Sequence, residues 1–496
     1  MTDPQPAPTA LPTLDGLFRR TLAQAPHRLA LCDPPDKARV TGAAPRRLTY
    51  AEADRAIAVL AAHFVEARLP QGAVVALQLP NTVETVLAIL AASRVGLVAA
   101  VLPQLWRQAD LTAALNAVGA RAIVACGTID GVDHADLAMH AAAETFSIRH
   151  VCGFGAGLPD GMVALDEAAG SASAAVVELA EDVRRAAIVT FDVTPEGLRA
   201  VPRSHAALIA GGLVIDLESR LPQRAAIAAA VTPSSFGTLA ASLVTWLLTG
   251  GTLALHHPFT PEVLLGQIAE TPCDTLIAPA ALALDIANAA PTLRHIIGLW
   301  RAPEQMAAGP LWRGAAAFTD VALFGEIGLA AIRRGADGQA APLPAGSPAA
   351  GDEAGGPDFS DDLRLTAQGT IALGGPMVPA AAYHGVPLPE GGNLIEVDTG
   401  YAARKVQGGL IVTAPPAGLI GVGGYRFRAS DITAWSRMLP TDTTLTAVPD
   451  RLTGHHLAGD APDRPRTRKA LADLGLNPLV AEAFRGRGRT GEEAAR

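Results

Sequence analysis

Residues 187–205, Ala-Ile-Val-Thr-Phe-Asp-Val-Thr-Pro-Glu-Gly-Leu-Arg-Ala-Val-Pro-Arg-Ser-His, are where the sequence concentrates groups that could handle phosphate. A short apolar run bends through Thr194, Pro195 and Gly197, and a helical pattern follows over 206–217. A strand, a turn and then a helix can hold an anion on backbone N–H groups and on the helix N-terminus. Thr190 and Thr194 add hydroxyls and Arg199 a cation. Two features oppose that chemistry. The turn has a single glycine, where a loop wrapped around phosphate needs several for positive φ and close approach. Asp192 also brings a negative charge towards the place an anion would take.

The elements that must position this stretch are legible on either side of it. Thr49 with Glu52 forms a capping box and opens a helix. A strand over 73–79, a helix over 83–94, a strand over 96–102, a helix over 110–118 and a strand over 122–126 follow. Strands alternating with helices of this length imply a parallel sheet covered on both faces. The same rhythm resumes over 227–297, and 322–328 looks like a strand running into a tight turn. A Gly/Ala/Pro-rich run over 335–357 reads as a long loop, and short alternating strands at 370–373, 394–397 and 410–413 imply a β-rich subdomain. The break Ala414-Pro415-Pro416-Ala417-Gly418 reads as a hinge. Limited proteolysis is expected to begin at 335–357 or at this hinge, because unpatterned loops are the exposed ones.

Composition narrows the class. With 496 residues, 49% of them hydrophobic, the chain suits two or three domains with substantial cores. A net charge of −9 argues against nucleic acid as a partner. Cys32, Cys126, Cys152 and Cys273 lie far apart, which fits buried thiols in a reducing, cytoplasmic setting. Residues 225–261 lack Asp, Glu, Lys and Arg, but Pro233 and Gly250-Gly251 cut them into short buried pieces, so no membrane span is expected. Gly153-Phe154-Gly155-Ala156-Gly157-Leu158 lacks the third glycine of a dinucleotide fingerprint. The pairs His256-His257 and His455-His456 lack the neighbours of a zinc site. The arginines at 464–468 and 485–489 read as a solvated basic tail.

Scattered motifs in one order carry a resemblance. Leu-Thr-Tyr-Ala-Glu at 48–52, Val-Ala-Leu-Gln-Leu-Pro-Asn at 75–81 and Gly-Ala-Arg-Ala-Ile-Val at 119–124 come first. Gly-Gly-Pro-Met-Val at 374–378 with Tyr383, Asp-Thr-Gly at 398–400 and Gly-Val-Gly-Gly-Tyr-Arg-Phe at 421–427 follow. Together they resemble the acyl-adenylate-forming superfamily of acyl-CoA synthetases, luciferases and nonribosomal adenylation domains. The resemblance implies an α/β fold: two α/β subdomains and a β-barrel in a large N-terminal domain, residues 1–415, with the β-rich part from about 369. A shortened C-terminal domain, 416–496, would complete it. It also implies ATP with Mg and a thiol such as coenzyme A as cofactors, and a small carboxylic acid or acyl group as substrate.

In the family a carboxylate attacks the α-phosphate of Mg-ATP, and the small domain then turns so that a thiol can take the acyl group. This chain departs from the family pattern at most of the positions concerned. The family loop Thr-Ser-Gly-Thr-Thr-Gly-x-Pro-Lys-Gly-Val aligns in two registers. Counted back from Ser204-His205, Arg199 takes the lysine's place and Thr194 the second threonine's. Counted forward from Thr190, Asp192 falls on a glycine and Leu198 on the lysine. Phe324-Gly325-Glu326-Ile327-Gly328 stands for Tyr-Gly-x-Thr-Glu, so Glu326 is the substitute metal carboxylate. Asp398 precedes Thr399-Gly400-Tyr401, where Tyr401 replaces the acid that anchors ribose. A tyrosine cannot accept two hydroxyl donors as a carboxylate does. No Pro-Lys-Thr-x-x-Gly-Lys stretch is present, and Lys469 matches nothing in it. By resemblance the catalytic positions are thus Thr194, Arg199 and Glu326, and the nucleotide-facing ones Thr190, Gly197, Phe324, Gly325, Asp398 and Tyr401.

Each lost transition-state donor costs about 10²–10³ in rate, so activity is expected to be weak or lost. Three readings stay open: an unusual acid ligase, a non-catalytic relative binding an acyl ligand or a protein partner, and a subunit whose partner supplies the missing lysine. For the second, the acyl pocket of the resembling family would be walled by Phe236, Leu239, Leu243 and Trp246 against Val321, Leu323 and Ile327.

Overall fold

The computed structural model describes residues 12–166, 182–257, 260–345, 363–384 and 396–485. Most of the 335–357 run and the tail beyond Arg485 lie outside the described residues. Two sheets form the body of the large domain. The first has seven strands in the order Gly197–Ser204, Ala186–Thr194, Val98–Val101, Val74–Gln78, Ala122–Cys126, His150–Phe154 and Val163–Ala164. The second has eight: Gly328–Arg333, Ala317–Phe324, His295–Trp300, Thr275–Pro279, Ala226–Ala229, Thr252–Leu255, Leu29–Cys32 and Arg47–Thr49. Inner strands are parallel and almost wholly apolar, as strands covered on both faces must be. Each sheet ends in an antiparallel hairpin, 186–204 in the first and 317–333 in the second. The candidate site lies where these two hairpins face each other.

Several elements have the expected bounds. Thr49 and Glu52 do form the capping box of helix Tyr50–Glu66, and Val83–Arg94 and Ala122–Cys126 begin and end as read from the sequence. Two local readings are corrected. The turn at 195–196 leads not into a helix but into a second strand, Gly197–Ser204, and helix His205–Ser219 begins only after it, capped by the Ser204 hydroxyl. The helix read over 238–248 is interrupted by a π-helical turn, Ala240–Val244. There Ser242 donates to the Thr238 carbonyl and Thr245 to the Ala240 carbonyl, five residues back. Hydroxyls that bond back along the chain loosen the helical ladder. Gly211 and Gly212 of the neighbouring helix let this segment approach, since a Cβ on either would collide with Phe236 or Val244.

The charge-free run at 225–261 is resolved as strand Ala226–Ala229, the buried helical stretch 236–249 and strand Thr252–Leu255. Among the described residues no helix is long and apolar enough to cross a membrane. The β-rich part supplies a four-stranded antiparallel sheet, Leu363–Leu365, Thr370–Leu373, Val397–Val406 and Gly409–Ala414. Beyond the Pro415-Pro416 break the small domain builds its own four-stranded sheet around a core of Val422, Phe427, Ile432, Leu457 and Phe484.

Candidate functional site

Antiparallel pairing decides which residues of the first hairpin reach the site. Opposite residues share a face, and Ile188–Arg203, Thr190–Val201, Asp192–Arg199 and Thr194–Gly197 are opposite pairs. Thr190, Asp192, Thr194, Arg199 and Arg203 therefore make one polar stripe. Val189 and Phe191 point the other way, into a core where Phe191 meets Trp106 edge-on at 5.3 Å.

Much of the stripe is bonded within the protein, although the Thr190 hydroxyl and Arg203 Nε are buried without a hydrogen-bond partner among the described residues. Asp192 is 4% exposed. Its Oδ2 accepts the Tyr383 hydroxyl at 2.7 Å, and its Oδ1 pairs with Arg426 Nη1 of the small domain at 3.0 Å. Arg426 also donates to the Tyr401 hydroxyl. These bonds raise the Arg426 pKa further against its burial, and burial together with the Asp192 charge pushes Tyr383 well above the usual phenol range. The Thr194 hydroxyl donates to the Gly197 carbonyl across the two-residue turn. Arg199 donates to the carbonyls of Ala382 and Tyr383 and lies 5.2 Å from the Tyr383 ring centre.

The second hairpin contributes Phe324, Gly325 and Glu326. Phe324 is fully buried edge-on to Tyr401 at 5.5 Å. Gly325 sits at φ +61°, and a Cβ there would run into the Arg426 guanidinium, so this position needs glycine twice over. Glu326 is 6% exposed, with Oε2 accepting the Phe236 backbone N–H at 2.8 Å. Burial raises its pKa to about 7; Asp192 adds to the rise, while Arg203, the Phe236 N–H and Thr190 oppose it. Arg203 is 1% exposed, donates to the carbonyls of Met377 and Glu326 and stacks 3.7 Å from the Phe236 ring centre. Burial draws its pKa down to about 10 despite nearby Glu326.

The structure thus gathers Thr190, Glu326 and Arg203 into one buried cluster, joins Asp192 and Tyr401 through Arg426, and sets Phe324 against the Tyr401 ring. Thr194 and Arg199 are spent on the hairpin and on the 382–383 carbonyls. Asp398 is exposed and stabilises its own turn, accepting from the Gly400 N–H and the Thr370 hydroxyl. Among the described residues no three His, Cys, Asp or Glu side chains gather as a metal site. Arg203 and Arg426 are the participants that sequence reasoning did not single out. Arg203 gave no clear signal, since Val201 between the two arginines is as apolar as Leu198, Ala200 and Pro202 on the other face. Arg426 stood in a recognised motif but gave no hint of its partner.

The expected acyl-pocket walls are buried core, and Trp246 packs on Phe18 and Tyr50. Phe236, Leu239, Leu243, Trp246, Val321, Leu323 and Ile327 all belong to the main core, each at most 6% exposed.

Two α/β sheets, a β-rich part and a small domain set against the cleft between edge hairpins make up the adenylate-forming architecture. A family model for AMP-binding enzymes matches residues 18–308, more than half of the sequence, and the chain belongs to that family. The fold is similar to that of apo MbtA from Mycobacterium smegmatis, at TM-score 0.66 and 22% identity over 95% of this chain and 90% of that one. It is also similar to o-succinylbenzoate CoA synthetase (MenE) from Bacillus subtilis bound to a product analogue, at TM-score 0.70 and 16% identity over 96% and 93%. An ATP-bound RpMatB–BxBclM chimera aligns at TM-score 0.59 and 18% identity over 94% and 93%. No curated protein matches the sequence.

Proposed function

We propose that this chain is an acyl-adenylate-forming ligase relative that does not turn over ATP and acts instead through a protein partner. The observation that carries the reading is the Asp192–Arg426–Tyr401 network. The side chains standing at a phosphate-loop glycine and at the ribose acid of the resembling family bond to one another through a small-domain arginine.

The residues present do not fit Mg-ATP in this arrangement. A triphosphate would meet the buried Asp192 carboxylate, and it would compete with Asp192 for Arg426. The tight hairpin turn offers no cradle of glycine N–H groups. Glu326, with a pKa near neutrality, is a poor ligand for a hard cation that favours ionised oxygens. The packed walls around Phe236 and Leu323 count against an apolar acyl ligand and favour the protein-partner role.

Carboxylate-dependent exchange of pyrophosphate into ATP tests this, with short, medium, long-chain and aromatic acids and Mg. The expected result is exchange at the level of a no-enzyme control, together with no heat of Mg-ATP binding in titration calorimetry. Robust exchange with any acid returns the chain to the ligases, with Thr194, Arg199 and Glu326 in substitute roles. A thermal shift given by acyl compounds alone would replace the protein partner with an acyl ligand.

A further inference from the structure

Asp192 and Arg426 are 234 residues apart in sequence and sit on opposite sides of the domain boundary. Among the described residues, several other contacts cross that boundary, the Tyr425 bond to the Leu105 backbone included. Arg301 donates to the Gly424 carbonyl at 3.0 Å, Gln305 to the Gly454 carbonyl at 3.4 Å, and Arg451 pairs with Asp285. The Arg451–Asp285 pair is exposed on both sides, where solvent screens the attraction. At the Asp192–Arg426 pair the side chains are only 5% and 19% exposed, and both charges gain extra bonds from Tyr383 and Tyr401. Gly325, lacking a Cβ, leaves the space the guanidinium fills. Around the arginine stand Asp192 of the first hairpin, Gly325 of the second and Tyr401 of strand Val397–Val406, with Tyr383 of helix Ala380–His384 behind Asp192.

We propose that Asp192, Tyr383 and Tyr401 form a latch that grips Arg426 and holds the small domain in one orientation across the cleft. This rests on the reading that the cleft is held shut from within, but its test reads domain mobility rather than nucleotide chemistry. Removing one charge of a buried pair leaves the other unpaired, so each half of the latch is worth little alone. The small domain then swings about 415–418, where Ala417 and Gly418 are exposed.

The experiment compares wild type, Asp192→Asn, Arg426→Gln and the double variant under elastase, which cuts after small residues such as Ala417. Cleavage at 415–418 is read by mass spectrometry and the radius of gyration by small-angle scattering. Each single variant is expected to be cut there roughly fivefold faster or more, and to scatter as a larger particle. The double variant should be no faster than the faster single, because coupled residues do not add. Unchanged cleavage in the singles, or rates that multiply in the double, would overturn the latch. If a charge variant melts globally, Tyr401→Phe decides, since it removes one hydroxyl from Arg426 and little else. It should speed hinge cleavage by a smaller factor, and no change in it would count against the proposal. An exchange-active wild type with a tight latch would sink the functional reading alone, and an inactive one with a freely moving small domain would sink the latch alone.

Discussion

Replacing Arg334 by methionine should lower stability by about 3–5 kcal/mol, the loss found when one partner of a buried ion pair is removed. Arg334 and Asp320 are joined by two bonds, Nε to Oδ2 at 2.8 Å and Nη2 to Oδ1 at 2.9 Å, with side chains 1% and 0% exposed. Asp320 also accepts the Trp300 indole N–H at 2.7 Å, and the Arg334 guanidinium lies 4.5 Å from the Phe318 ring centre. Arg334 further ties down the carbonyls of Pro310 and Gly338. Methionine fills similar volume but leaves the Asp320 carboxylate buried with the indole as its one remaining partner. For a large domain the melting temperature should fall by roughly 10 °C, if unfolding is near two-state. Two controls separate charge from packing. Pairing Arg334→Met with Asp320→Leu should recover much of the loss, because the orphaned charge is gone. Arg451→Ala, which breaks the exposed pair with Asp285, should cost no more than about 1 kcal/mol. A small loss in Arg334→Met, with no recovery in the pair, would overturn this account of the ion pair. The strand that carries Asp320, Ala317–Phe324, leads directly into the Gly325–Glu326 turn.

How much of this was legible follows from where the information sits. Helix Val83–Arg94 and strand Ala122–Cys126 carry their own periodicity and punctuation, so their ends were readable without a structure. The Thr49–Glu52 capping box is likewise local. Strand Gly197–Ser204 was hidden because two arginines, a proline and a serine mask its alternation, and the Pro195-Glu196 turn lacks the glycine or asparagine that marks a two-residue hairpin. The π-helical turn depends on hydroxyls bonding back to carbonyls, which composition does not reveal. The candidate site was legible as a set of departures: Asp192, Glu326 and Tyr401 each looked like a separate loss. Their meaning lay in contacts over long sequence distances, Asp192 to Tyr383 and Arg426 to Asp192 and Tyr401. Only the folded chain brings those partners together: Asp192 and Tyr401 are joined through Arg426, while Glu326 takes the Phe236 N–H.

Glu326→Gln should stabilise the protein at alkaline pH and flatten its pH dependence. Burial raises the Glu326 carboxyl from its ordinary 4.5 to about 7, with the Asp192 charge adding to burial and Arg203, Thr190 and the Phe236 N–H only partly offsetting it. Between those two values the folded state holds a proton that the unfolded chain releases. Stability is therefore highest below pH 4.5 as far as this group is concerned, falls as pH rises through 4.5 to 7, and is level above that. His134 and His205 act in the opposite sense. Burial depresses both to about 4, and the His205 Nδ1 accepts the Leu14 N–H, so their contribution is lost as pH falls from 6.5 to 4. Burial also raises the carboxyls of Asp33, Asp110 and Glu304, so the part of the decline on the alkaline side that belongs to Glu326 is the part that Glu326→Gln removes. Glutamine has the same shape and can still accept the Phe236 N–H, but it has no charge to bury. At pH 8 the variant should gain roughly 1–3 kcal/mol, since a tenfold change in proton affinity corresponds to about 1.4 kcal/mol and relaxation recovers part of it. At pH 4.5 the two proteins should melt together. Urea titrations at half-unit steps from pH 4.5 to 8.5 measure both slopes directly. Parallel curves across that range would show that Arg203 neutralises Glu326 fully, and the carboxylate would then be ionised at neutral pH and a competent metal ligand after all.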